Sequence, residues 1–152
     1  MPEKIIVSDT SSLIALTNIG ELELLKEVYE EVVITPLIAE EYGLETPDWI
    51  RIEQIKDIQK FKLLNLELDK GESSGITLAL ENAPSLLIID EKKGRRIAKK
   101  LGIKILGILG VMIRAKEIGL ITQIKPLIEK LEKVDFRIAK RLKNQILERV
   151  GE

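Results

Sequence analysis

A strand-like run over residues 4–8 breaks off at Asp9-Thr10-Ser11-Ser12, and an apolar pattern of helical period begins at once. One carboxylate and two or three hydroxyls are thereby set at the C-terminal end of a first strand, the edge where open α/β sheets bind their ligands. A second buried-looking run, residues 86–89, ends in two further acids, Asp90 and Glu91. Glu41 (or its neighbour Glu40) and Glu72 stand near similar junctions, on helices whose first turns would lie at the same edge. Carboxylates in such a group suit Mg²⁺ or Mn²⁺, hard cations that take oxygen ligands and complete their shell with water and substrate phosphate. An ion of that kind activates water and stabilises the attacking and leaving oxygens of a phosphodiester. Thr10 and Ser11 would orient a water or hold the Asp9 carboxylate by hydrogen bonds.

These acids also have plainer uses. Asp9 and Asp90 are placed to cap helices, a role worth about 1 kcal/mol. Glu72 follows Asp69 by three residues, which is capping-box spacing. Glu40 and Glu41 could simply face solvent. Capping does not explain why the acids should converge on one edge.

Composition narrows the chemistry further. The 152 residues include no histidine and no cysteine. That removes the Ser-His-Asp triad, histidine-based RNA hydrolysis, disulfides, a thiolate nucleophile and zinc sites built from Cys or His. Acid–base or metal chemistry must rest on Asp, Glu, Lys, hydroxyls and water. The net charge of −1 is unevenly spread: residues 92–104 carry only basic charges, residues 137–149 are mostly basic, and residues 21–45 lean acidic. An acidic pocket with basic flanks can hold a metal and a polyanion together. Arg95, Arg96, Lys99 and Lys100 are the candidates for backbone phosphate contacts, against the simpler reading that they solvate an outer helix face. At 3% aromatic content, base-stacking platforms are not expected. The wealth of Ile, Lys and Glu hints at a thermophilic source.

The elements that must position these residues alternate. Strands are expected over residues 4–8, 31–34, 49–55 (short, at an edge), 86–89 and 103–106. Helices are expected over 10–19, 21–29, 36–42, 57–66, 69–82, 91–101, 107–118, 124–133 and 137–150. Gly20 and Gly102 mark helix ends, Thr35-Pro36 a helix start, and Pro84 a stop. This order predicts one α/β domain over residues 1–152 with a mostly parallel sheet covered on both faces. The opening residues lead directly into a strand pattern without a secretory signal, and the longest near-apolar stretch, 105–113, is too short to span a bilayer. A cytoplasmic protein is expected.

The strings VSDTSSLIAL, VVITPLIAEEY, DKGESSGITLALE and LLIIDEKKGRRIAKKLGIKILGILGVMIRAKEIG occur in the order characteristic of PIN domains. Across roughly residues 5–146 the chain resembles that family, and within it an uncharacterised PIN-like branch related to VapC toxins. The resemblance implies a three-layer α/β/α fold with a central, mostly parallel sheet and a helical C-terminal end. It implies three or four acids around Mg²⁺ or Mn²⁺ hydrolysing RNA by in-line attack of water, leaving a 5′-phosphate and a 3′-hydroxyl. The family's first acid matches Asp9, with Ser11 as its hydroxyl companion; its second matches Glu41, its third Glu72 and its fourth Asp90. On this reading Asp9, Glu72 and Asp90 bind the metal, Glu41 completes the site, and Thr10, Ser11 and Glu91 support it. Partners implied are RNA, a small antitoxin protein and a second copy of the chain.

Two departures from the family pattern stand out. The third acid is usually Asp, and Glu72 is one methylene longer; the Thr usually found two residues before the fourth acid is Ile88. They motivate an alternative, a catalytically degenerate PIN-like scaffold that binds RNA or protein. A receiver-like domain with Asp90 as phosphoacceptor ranks third, because the first strand lacks the adjacent acidic pair. The apolar helix over 108–118, with Val111, Met112 and Ala115, offers either a dimer face or, more simply, core.

Overall fold

The computed structural model describes residues 5–152. Strands β1 (Ile5–Ser8), β2 (Val32–Ile34), β3 (Ile50–Ile52), β4 (Ser85–Ile88) and β5 (Lys104–Leu106) form one sheet in the order β3-β2-β1-β4-β5. Every pairing is parallel. The helices are α1 (Thr10–Asn18), α2 (Glu23–Tyr29), α3 (Pro36–Tyr42), α4 (Ile58–Leu64), α5 (Lys70–Glu81), α6 (Lys92–Lys100), α7 (Ile108–Glu117), α8 (Lys125–Lys133) and α9 (Lys140–Arg149). The expected first residue of β1, Lys4, lies outside the described residues, as does the stretch used to argue against a signal sequence. Among the described residues no helix is long and apolar enough to cross a membrane.

The strands are apolar on both sides because helices cover both faces, as parallel sheets require. Val7, Val33, Leu87 and Ile89 point into one layer, against Ile76 and Ala79 of α5 and Ala98 of α6. Val32, Ile34 and Ile88 point into the other, against Leu13 and Leu16 of α1, Leu25 of α2 and Met112 of α7. This period-two division makes the three-layer α/β/α architecture. Val111, Met112 and Ala115 are fully buried, so the apolar face of α7 is core and not a dimer surface.

Element boundaries follow local chemistry. The side chain of Thr35 accepts the amide of Ile38, and Pro36 opens α3, as Thr-Pro predicts. Gly43 ends that helix at φ +71°, a left-handed conformation that costs glycine little. Several expected elements are shorter than their patterns, β3 and α9 most of all. Only Ile50–Ile52 of 49–55 joins the sheet, as an edge strand beside β2. Helix α9 starts at Lys140, not at 137.

The C-terminal helices are tied together by Glu152. Its carboxylate accepts Lys116 Nζ (2.8 Å), the amide of Ile124 (2.7 Å) and the amide of Lys125 (2.9 Å). Helix α8 has no side-chain cap of its own. Glu152 therefore supplies the anion that the exposed amides at a helix N-terminus attract. Burial works against ionisation, but Lys116 and the two amides outweigh it and hold the carboxyl down at about 2. Because this pKa is depressed, its stabilisation is complete above pH ~4.5 and is lost as pH falls towards 2. Glu152→Gln is expected to cost about 1–3 kcal/mol in urea denaturation at pH 7, with the difference from wild type shrinking at acid pH.

Candidate functional site

Strand order reverses between β1 and β4: the chain runs outward from β1 to β3 in one direction and from β4 to β5 in the other. Crevices beyond the C-terminal ends of strands at such a reversal are where open α/β sheets place ligands. The register pairs Ser8 with Ile88 and the amide of Asp9 donates to Ile88 O at 2.9 Å, so Asp9 and Asp90 emerge side by side.

Asp9 is 5% exposed and caps α1: its Oδ1 accepts the amide of Ser12 at 2.9 Å. Its other oxygen, Oδ2, accepts the amide of Asp90 through a long contact of 3.3 Å. The Asp90 carboxylate does not cap the helix that follows it, as a local reading would have it. Glu91 caps α6, accepting the amide of Gly94 at 2.6 Å. Asp90 instead reaches across to α7, where Oδ2 accepts the amide of Ile108 at 3.1 Å. Ser12, fully buried, donates its hydroxyl to Asp90 Oδ2 at 3.1 Å. Ser12 therefore holds both acids, with its amide on Asp9 and its hydroxyl on Asp90. The hydroxyl companion expected at Ser11 is exposed instead, because three residues past the cap point back over the strand ends and two do not.

Burial, reinforced by the neighbouring Asp90, pushes the Asp9 carboxyl up to about 6 despite the Ser12 bonds. Asp90 is raised too, mainly by burial, against the pull of Ile108, Ser12 and Arg95.

Glu72 sits in the first turn of α5, whose cap is Asp69 (Glu72 amide to Asp69 Oδ1, 2.8 Å). Glu72 itself is half-buried, and its Oε2 has no hydrogen-bond donor. It faces Glu91 and Asp69, both acceptors when ionised. Burial first, then these two acids, raise its pKa to about 8, so near neutral pH it keeps its proton and donates to Glu91. Glu91 is correspondingly lowered: burial opposes ionisation, but the amides of α6 and Glu72 prevail. Glu41 is exposed and held by Thr10, whose hydroxyl donates to Oε1 at 2.6 Å.

The four basic candidates separate. Arg95 turns inward, donating Nη1 to Ile89 O at 2.7 Å beside Asp90. Arg96, Lys99 and Lys100 are exposed. Lys99 and Lys100 close α6 at its far end, ~12 Å from its start at 1.5 Å per residue. A groove of about 590 Å³ leads from Asp90 along Arg95, Phe136 and Ile138, with Lys92, Arg137 and Arg149 on it. Apart from Asp90 it has no acidic lining.

A family model described as a PIN domain matches residues 5–152. The chain belongs to the PIN-domain family. No curated protein and no solved structure matches it significantly. The parallel sheet between two helical layers is the nuclease-type PIN fold, and the acids at its strand ends stand at the reversal point of that fold.

As arranged, the acids of this PIN domain stand in three separate sets. Asp9 and Asp90 adjoin, while Glu72 is turned to Glu91 and Glu41 to Thr10; among the described residues no three acids stand close enough to grip one ion. The donor set still fits a hard cation: every candidate ligand is an oxygen, the buried Asp9 is repelled by the part-buried Asp90 beside it, and Glu72, its Oε2 buried, meets only other acids. Neither the role of Ser12 nor the inward turn of Arg95 is marked by local spacing. The only sequence signal for Ser12 was a third hydroxyl in the Asp9 turn.

Raised carboxyl pKa values have a defined sign. The unfolded chain loses these protons first, so stability falls as pH rises from ~4 through about 6 for Asp9 and from ~4.5 through about 8 for Glu72. Without divalent ions, wild type should therefore melt at a lower temperature at pH 8.5 than at pH 5. Asp9→Asn with Glu72→Gln should flatten that decline, as measured by circular dichroism.

Proposed function

We propose that this PIN domain is a metal-dependent endoribonuclease that hydrolyses RNA phosphodiesters at the Asp9–Asp90 edge. The observation that carries the reading is two carboxyls, ending adjacent strands at the sheet's reversal point, locked together by one buried serine. Asp9 and Asp90 would hold Mg²⁺ or Mn²⁺, with Glu72 swinging from Glu91 to join them and Glu41 completing the site. A bound ion would supply Lewis-acid activation of water and neutralise charge on the phosphate.

The remaining work falls to the chain. Ser12 fixes both carboxylates, so little ordering is required when the ion and phosphate arrive. Arg95 places positive charge beside Asp90. Lys92, Arg137 and Arg149 offer phosphate contacts along the groove, and Phe136 is its one aromatic, so strand tracking would depend on charge more than on stacking. With no histidine, the leaving oxygen would be stabilised by the ion or protonated by water.

The pairing of Glu72 with Glu91 favours a second reading, a PIN scaffold that binds RNA without cutting it. Mn²⁺ separates the two. At ~100 times its dissociation constant it should stabilise wild type by about 2.7 kcal/mol, and Asp9→Asn should lose that gain. Single-stranded RNA should be cleaved by wild type and left intact by Asp9→Asn or in excess chelator. RNA binding without cleavage or Mn²⁺ stabilisation would support the scaffold.

A further inference from the structure

Three glycines lie directly against the acids, each at the start of a helix that opens on the sheet's C-terminal edge. Gly71 is the second residue of α5, Gly94 the third of α6, and Gly107 the cap of α7. A Cβ on Gly94 would lie 2.6 Å from Glu72 Oε2, and one on Gly107 would lie 2.7 Å from Asp90 Oδ1. The closest case is Gly71. A Cβ there would overlap Glu41 Oε1 and sit 2.7 Å from its Cδ.

Gly71 has no left-handed backbone to explain it, because it lies in regular helix. Glycine is the poorest helix former after proline, so local propensity argues against it here. The three atoms nearest to a Cβ at 71 all belong to the far end of one exposed, flexible side chain, that of Glu41. Space for Glu41 is what the missing side chain provides. From the other side Thr10 clasps the same carboxylate at 2.6 Å. Thr10 opens α1 immediately after Asp9, and Gly71 immediately precedes Glu72. Glu41 is thus held between the residues adjoining two of the other acids.

We propose that Gly71 is a positioning residue: by lacking a side chain it lets the Glu41 carboxylate dock between α1 and α5, at the edge where the divalent ion binds. This rests on the metal-site reading above. An alanine methyl at 71 would turn Glu41 outward at little cost to the fold, since alanine suits the helix better.

The test is Mn²⁺ affinity, from melting temperature against ion concentration, for wild type, Gly71→Ala, Glu41→Ala and the double variant. The expected result is Mn²⁺ binding at least ~10-fold weaker in Gly71→Ala, the scale seen when a supporting residue is lost. Its metal-free melting temperature should be equal to or above wild type. Glu41→Ala should weaken binding similarly, and the double variant should be no weaker than Glu41→Ala, because both changes remove the same carboxylate. Gly71→Ala binding like wild type while Glu41→Ala is weakened would overturn the proposal and leave the metal site standing. Additive losses, or a lowered metal-free melting temperature in Gly71→Ala, would overturn it too, by assigning the glycine to packing. Unchanged binding in Glu41→Ala would remove Glu41 from the site and the proposal with it. Absence of Mn²⁺ binding in wild type would overturn the metal-site reading itself, before any variant is compared.

Discussion

The β1–β4 pairing is the constraint on which the site depends. These two strands are adjacent in the sheet and distant in sequence, and each ends in an acid. Once Ser8 is level with Ile88, Asp9 and Asp90 are forced into proximity whatever their mutual repulsion. The sheet can impose this because both its faces are buried under helices, which makes a one-residue slip of register prohibitive. The core on either side of β1 and β4 thus holds together two groups that would separate in solution.

The cost of that proximity is met locally and only in part. Asp9 and Asp90 each accept backbone amides, at the starts of α1 and α7, and Ser12 serves both. Even so both carboxyls stay above their ordinary values, as buried acids do when donors are too few. Glu72 is worse placed, facing two acids and no donor. Contrast Glu152, another carboxylate with little exposure, which meets a lysine and two amides and is driven the opposite way, to about 2. The chain can satisfy a carboxylate fully where it serves only the fold. At the strand ends it leaves a deficit of positive charge, and such deficits concentrate at functional sites.

Much of this was legible in the residues. Alternating strand and helix patterns indicated a parallel sheet, and the Asp-Thr-Ser-Ser turn after β1 marked the edge that matters, because each rests on local periodicity and turn chemistry. Long-range partners were less legible. Asp90 looks like the cap of α6, yet Glu91 takes that role and frees Asp90 for α7, a contact with residue 108 that no local spacing encodes. Arg95 reads as a surface charge in a basic run, but one helical turn places it over the Ile89 carbonyl. Residues 53–55 alternate like a strand, yet past the Glu53 amide, which still donates to Ile34 O at 2.9 Å, the chain leaves the sheet, since β3 is an edge with a single partner to hold it. Nothing in the local sequence marks the glycines at 71, 94 and 107, because the acid side chains that a Cβ would meet come from elements distant in the chain or from the packed fold.

The central claim is that the acids at this edge hold a divalent ion. Anomalous diffraction from crystals of the wild-type protein grown with Mn²⁺ tests it most directly. The account predicts a manganese peak bound by Asp9 and Asp90 carboxylate oxygens, with Glu72 rotated away from Glu91 towards it. A peak elsewhere on the surface, or none at millimolar Mn²⁺ with Glu72 still paired to Glu91, would contradict it.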